Sequence, residues 1–173
     1  MIHAENNAGK YDIVCLFQVL EHLTELTNFI QAIHKCLKPG GKFCIAVPNN
    51  DGFVSYTPNY TFNLPPHHTI LWTERSLRFL ANKFGFDVIE AKPELLQDVH
   101  KETAYQSYLV STMKKIFFLP NLLVDNSRGH RFVSSIIGIL LRRPLLKKIL
   151  IAIVRNRVKY GQSIIITLQK KAL

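Results

Sequence analysis

Acidic residues and cysteines are scarce in this chain, and each scarcity excludes something. The 173 residues hold 12 Asp and Glu against 22 Lys and Arg, which gives a net charge of +10. There are 3 cysteines, an odd number, and no Cys-x-x-Cys pair. That speaks against a disulfide framework or a structural zinc site, and buried reduced thiols in a cytoplasmic protein are expected. No uncharged apolar run of about eighteen residues occurs, so no spanning helix is predicted. The first ten residues, MIHAENNAGK, are polar and hold no signal-peptide apolar stretch. They also leave no room for a glycine-rich phosphate or cofactor loop.

What is present is organised. Tyr11–Phe17 is a short apolar run rich in β-branched and aromatic residues, suited to a strand buried on both faces of a parallel sheet. Leu23, Leu26, Ile30, Ile33 and Leu37 then step by three and four along one helix face, with Thr24 as the candidate N-cap. Pro39-Gly40-Gly41 stops that helix, and Phe43–Val47 is a second strand. Strand, helix and strand with short connections make one right-handed βαβ unit. A later helix starts at the cap Thr73, buries Leu77, Leu80, Ala81 and Phe84, and ends at Gly85.

The words inside this frame resemble those of class I S-adenosylmethionine-dependent methyltransferases. YDIVCLFQVLEHL is similar to the segment closing that family's fourth strand, and LKPGGKFCIAVPN to the turn into its fifth. LPPHHTILWTERSLRFLANKFGFDVIE resembles the block leading into the sixth strand, and GQSIIITLQKK the antiparallel seventh. The resemblance implies an α/β, partial Rossmann-like methyltransferase fold made of strands four to seven, ordered fourth, fifth, seventh, sixth in space. It places residues 1–92 in the carboxyl-terminal half of the domain, 93–160 in a helical insertion, and 161–173 in the last strand. The family's glycine loop and ribose-binding acid match nothing in this chain. A truncated methyltransferase for a small-molecule acceptor is therefore expected, inactive as it stands and with weak or no S-adenosylmethionine binding. A non-catalytic interaction module and a peripheral membrane-binding protein are the alternatives.

Cofactors in open α/β sheets bind outside the carboxyl ends of parallel strands. By resemblance, Phe17, Gln18 and Val19 would line the methionine and sulfonium side of that site. His22 and the adjacent His67 and His68, in a loop stiffened by Pro65 and Pro66, are the candidate acid–base residues. One of the adjacent pair is expected to serve backbone instead. Relatives acting on quinone precursors pair a Glu-His dipeptide with an acid three residues earlier, near a metal. Here that position is Gln18, so no metal site is expected, and Glu21 is expected to favour a helix N-terminus.

Charge is divided unevenly. Residues 1–99 carry 8 basic and 10 acidic side chains, whereas residues 100–173 carry 14 and 2. Helices are predicted over Lys101–Phe118, Val133–Leu141 and Leu145–Val158, the last two separated by Pro144. Their Leu and Ile content, rimmed by Arg142, Arg143, Lys147, Lys148 and Arg155, exceeds what one buried face needs. An anionic membrane surface is the candidate partner, which would make the protein peripheral at the inner face of the membrane. Specific nucleic-acid binding is not expected, because the basic segment lacks stackable aromatics. In the family the glycine-loop strand lies beside the fourth strand, so its absence would leave Tyr11–Phe17 as an open apolar edge, exposed more than its composition warrants, and self-association through that edge is a further expectation.

Overall fold

The computed structural model describes residues 2–172. They form helix α1 (Ile2–Asn6), strand β1 (Tyr11–Phe17), α2 (Leu26–Cys36), β2 (Leu37–Pro48), α3 (Glu74–Lys83), β3 (Phe86–Leu95), α4 (Asp98–Ile116), α5 (Arg128–Leu141), α6 (Pro144–Val154) and β4 (Tyr160–Lys170). Two compact units result. The first comprises Met1–Asn49, Asn63–Pro93 and Ser163–Leu173, and the second Asn50–Phe62 and Glu94–Gln162. The Asn50–Phe62 stretch, placed with the half-Rossmann portion by sequence, thus clusters with the helical insertion.

In the first unit, β2 runs parallel to β1, with Val14 opposite Phe43 and Phe17 opposite Ala46. It runs antiparallel to β4, with Phe43 opposite Leu168 and Ile45 opposite Ile166. The sheet order is β1-β2-β4-β3, the spatial order expected of strands four, five, seven and six. Helices on a parallel pair with an antiparallel closing strand give the expected α/β, Rossmann-like class. Ile30, Ile33 and Leu37 from the predicted stripe are buried with Phe43, Ile45, Leu77 and Ile166 in one core.

Three local expectations are corrected, and two are met. β1, suited by composition to burial on both faces, is the open sheet edge anticipated where the neighbouring glycine-loop strand finds no match: Ile13 is 55% and Phe17 61% exposed, and among the described residues β2 is its one neighbour in the sheet. Its Cys15 is exposed as well, so only Cys36 of the three free thiols is buried. Glu25, not Thr24, stands at the N-cap of α2, and no side chain caps there. The carbonyl end of α2 is instead closed from afar: Lys170 Nζ donates to the His34 and Leu37 carbonyls at 2.7 and 2.8 Å. Finally, β2 begins at Leu37 and runs through Pro39-Gly40-Gly41. Gly40 takes φ +74° there, and a Cβ on Gly41 would lie 2.9 Å from the Lys38 carbonyl. The Thr73 cap is found as read, in a reciprocal capping box with Ser76.

The second unit is helical apart from the ends of β3 and β4. α5 starts five residues before the sequence estimate, because the Ser127 hydroxyl accepts from the His130 N–H at 3.1 Å and caps it. α6 ends at Val154 rather than Val158. Leu109, Val110, Val133, Ile137 and Val154 form one core cluster, and Phe53, Val54, Ala104 and Val158 another. Within α4, Lys114 is buried, while the apolar Ile116 is 63% exposed. The reason is Asp125, which forms a buried ion pair with Lys114. No helix among the described residues is long and apolar enough to cross a membrane.

Candidate active site at the carboxyl end of the first strand

The chain leaves β1 at Phe17 and turns sharply. Gln18 takes φ +54°, a left-handed conformation uncommon for a side chain other than glycine, while its N–H still donates to the Ala46 carbonyl at 2.8 Å. Phe17 and Gln18 are exposed and Val19 half-buried, so all three remain available at the strand end. A single 3₁₀ turn, Leu20–His22, follows. Leu20 and Glu21 point inward, and both are fully buried.

Loop 67–70 is stitched onto this turn. The Glu21 carbonyl accepts from the Thr69 N–H at 2.8 Å and from the Ile70 N–H at 3.2 Å. The Thr69 hydroxyl adds a third bond to it at 3.0 Å. His22 Nδ1 lies 2.5 Å from the His67 carbonyl. A carbonyl can only accept, so Nδ1 carries the proton and Nε2 keeps its lone pair. His68 Nδ1 lies 3.1 Å from the Asn63 side-chain oxygen, which leaves its Nε2 in the same condition. The His22 and His68 rings meet edge to face with centroids 5.0 Å apart.

Of the three candidate histidines, the structure brings two rings together. His67 is exposed, and its backbone carbonyl, not its ring, is what meets His22. Glu21 is the residue that sequence reasoning missed. Its carboxylate does not face a helix terminus. Both oxygens are buried without a hydrogen-bond partner, and Oε1 lies 3.9 Å from His22 Nε2. Burial raises the Glu21 pKa, opposed in part by its own backbone N–H and by His22. Burial, followed by the electrostatic influence of His22 and His67, lowers the His68 pKa.

Ligand atoms of Glu21, His22 and His68 all lie within 4.8 Å of one another. Two imidazole nitrogens and one carboxylate oxygen are a donor set that can hold a divalent ion such as zinc. No metal set was expected from sequence, because Gln18 replaces the acid that precedes the Glu-His pair in relatives; His68, distant in the chain, comes to Glu21 and His22 only through the fold. Beside His22 opens a shallow cleft of about 300 Å³, lined also by Thr24, Asn28 and Phe29.

The buried carboxylate has a measurable consequence. With its folded pKa raised, Glu21 holds its proton more tightly folded than unfolded. Stability is therefore lost as pH rises from the ordinary glutamate range through the raised value. Glu21→Gln should remove that slope and stabilise the protein at neutral pH by about 1–2 kcal/mol. Urea denaturation at acid and neutral pH is the measurement. Parallel pH dependences in the two proteins would show that Glu21 titrates alike in the folded and unfolded states and that burial does not shift it.

Residues 2–91 match the family model described as "Methyltransferase domain". A protein of Mycolicibacterium smegmatis named as a probable S-adenosylmethionine-dependent methyltransferase is 34% identical over 80 residues, which are 46% of this chain and 30% of that protein. The ubiquinone biosynthesis O-methyltransferase of Marinobacter nauticus is 33% identical over 70 residues, 38% of this chain and 29% of its own. The chain thus spans less than a third of the length of these curated relatives. Among solved structures, one described as a methyltransferase of Bacillus halodurans C-125 superposes with a TM-score of 0.52 at 13% identity, covering 95% of this chain and 72% of that one. That similarity is one of fold.

Proposed function

The chain belongs to the methyltransferase domain family, and from that premise we propose that it forms the carboxyl-terminal half of an S-adenosylmethionine-dependent catalytic domain for a small-molecule acceptor. The observation that carries this reading is the Glu21–His22–His68 group, assembled directly beyond the carboxyl end of a parallel strand.

When bound, S-adenosylmethionine supplies an electrophilic methyl group. A hydroxyl acceptor taking that methyl group would have to give up its proton. His22 is placed to take that proton. Its Nδ1 is anchored to the His67 carbonyl, and its half-exposed ring lines the cleft. The Glu21 carboxylate beside Nε2 stabilises the imidazolium that results, as a buried opposite charge does. His68 has its pKa lowered and stays neutral next to it. Exposed Phe17, with Gln18 and Val19, offers one wall for the methionine end of the cofactor. A hydroxyl acceptor fits this proton path, and similarity to O-methyltransferases over 70 residues supports it.

Calorimetry tests the division of labour. The 173-residue chain alone should bind S-adenosylmethionine with a Kd weaker than about 10 μM, or roughly 7 kcal/mol. Adding a segment with the family's glycine loop should tighten it. Tight binding by the chain alone would contradict the half-domain reading, and no gain on extension would favour a non-catalytic interaction module. That second reading has its own support in the open β1 edge. An apolar groove of about 480 Å³ runs beside it, lined by Tyr11, Ile13, Val14 and Phe29, and can receive a strand from another polypeptide or a second copy.

A further inference from the structure

Methyl transfer gives no reason for the outward face of the helical unit. α6 has the sequence PLLKKILIAIV, and of its eleven residues only Val154 is buried. Leu145 is 72% exposed, Ile149 48% and Ile153 65%. At steps of four, these three fall on one narrow stripe of the helix. Leu146, 39% exposed, widens it, and Lys148 and Arg155 flank its other side. An ordinary surface helix turns such a stripe inward and its charges outward. On α5, Phe132 and Ile139 are 61% and 57% exposed, on the turn-spaced face that leads to Arg142.

Charge narrows the choice of what covers this surface. Residues 126–173 contain 11 Lys and Arg and no Asp or Glu. Lys147 is engaged by Glu102 at 2.6 Å, but among the described residues no acid pairs with Arg142, Arg143, Lys148 or Arg155. A second copy of the chain would bring the same positive rim against itself. A nucleic acid offers phosphates but nothing for a stripe of leucine and isoleucine. An anionic bilayer offers both: acyl chains below and phosphates at the level of the basic rim. Eleven residues of helix extend about 16 Å, half of a hydrocarbon core of about 30 Å, so α6 can lie in the interface but not span it.

We propose that α5 and α6 form an interfacial anchor for anionic lipid, with Leu145, Ile149 and Ile153 entering the acyl boundary and Arg142, Lys148 and Arg155 meeting lipid phosphates. The anchor is independent of the methyl-transfer reading, since none of its residues belongs to that site.

The test is co-sedimentation of the 173-residue chain with vesicles of phosphatidylcholine alone, or with about a third phosphatidylglycerol. Binding is expected to the anionic vesicles, with far less to the neutral ones, and to weaken at high salt. Lys148→Gln with Arg155→Gln should weaken it about thirtyfold, at about fivefold for each charge removed. Leu145→Ser, Ile149→Ser and Ile153→Ser together should abolish it. All five side chains are exposed, so circular dichroism melts should be unchanged, and the charge variant decides even if the triple variant does not fold. Three results would each overturn the anchor: no vesicle binding, equal binding to neutral and anionic vesicles, or binding indifferent to both variants. Self-association in ultracentrifugation that the apolar variant abolishes, without vesicle binding, would make the stripe a protein interface instead.

Discussion

Asp125→Ala is expected to cost the helical unit about 3–5 kcal/mol, the penalty of leaving a buried charge without its partner. Lys114 and Asp125 are each only 2% exposed in their side chains and form an ion pair. Asp125 is also held by the Ser127 N–H at 3.0 Å, and its backbone exchanges two hydrogen bonds with the Asn59 side chain, both at 3.0 Å. The Lys114 ammonium, and after it Ser127, keeps the Asp125 carboxyl far below the ordinary aspartate range. A depressed acid contributes stability that is complete above the unfolded pKa and drains away as pH falls toward the folded one. Acidification of the wild type from the ordinary aspartate range downward should therefore reproduce part of the loss. Removing both charges together, as in Lys114→Met with Asp125→Leu, should be far milder than either single change, because no orphan remains. Urea denaturation of the three variants measures this. A single-variant loss below about 1 kcal/mol would show that water reaches the pair.

His22→Gln should slow methyl transfer about 10²- to 10⁴-fold in a polypeptide that carries the glycine-loop half as well, which is the usual contribution of a positioned general base. Glutamine can keep the anchoring bond to the His67 carbonyl, but it cannot accept the acceptor's proton at neutral pH. The loss should fall in kcat more than in KM, since the base acts in the transition state and not in holding the substrate. His67→Ala is the control: the group that anchors His22 is the backbone carbonyl of residue 67, which alanine retains. It should change the rate only severalfold. Glu21→Gln should fall between the two, through loss of the charge that steadies the imidazolium. If His67→Ala proves as damaging as His22→Gln, the roles of the two histidines are reversed. If neither slows transfer of radiolabelled methyl, the proton leaves by another route.

Much of the fold could be read in one dimension because its signals are local. The stripe Ile30, Ile33 and Leu37 follows helical spacing, and Thr73 with Ser76 is a four-residue capping pattern. The sheet order came from the family resemblance, not from any residue pattern. The apolar run of β1 reports what a strand is suited for, and its place at the sheet edge followed from the family's missing neighbour instead. Thr24 was misjudged as a cap because threonine, unlike the glutamate that stands there, is a favoured N-cap residue, while the stop of α2 depends on Lys170 from the other end of the chain. The same limit applied at the site.

The sequence by itself determined the α/β class, the strand-end position of Phe17, Gln18 and Val19, and the basic, apolar character of the late helices, which follow from spacing and composition within short windows. The family followed from the resemblance of its motifs. Only the tertiary structure decided that Glu21 lies buried against His22 and that His68, rather than His67, turns its ring to the site. It alone showed that Lys114 lies inside with Asp125 and that α6 faces outward. Each of these is a matter of desolvation and of partners distant in the chain. A residue's charge state and role depend on which atoms replace its water, and no local pattern records that.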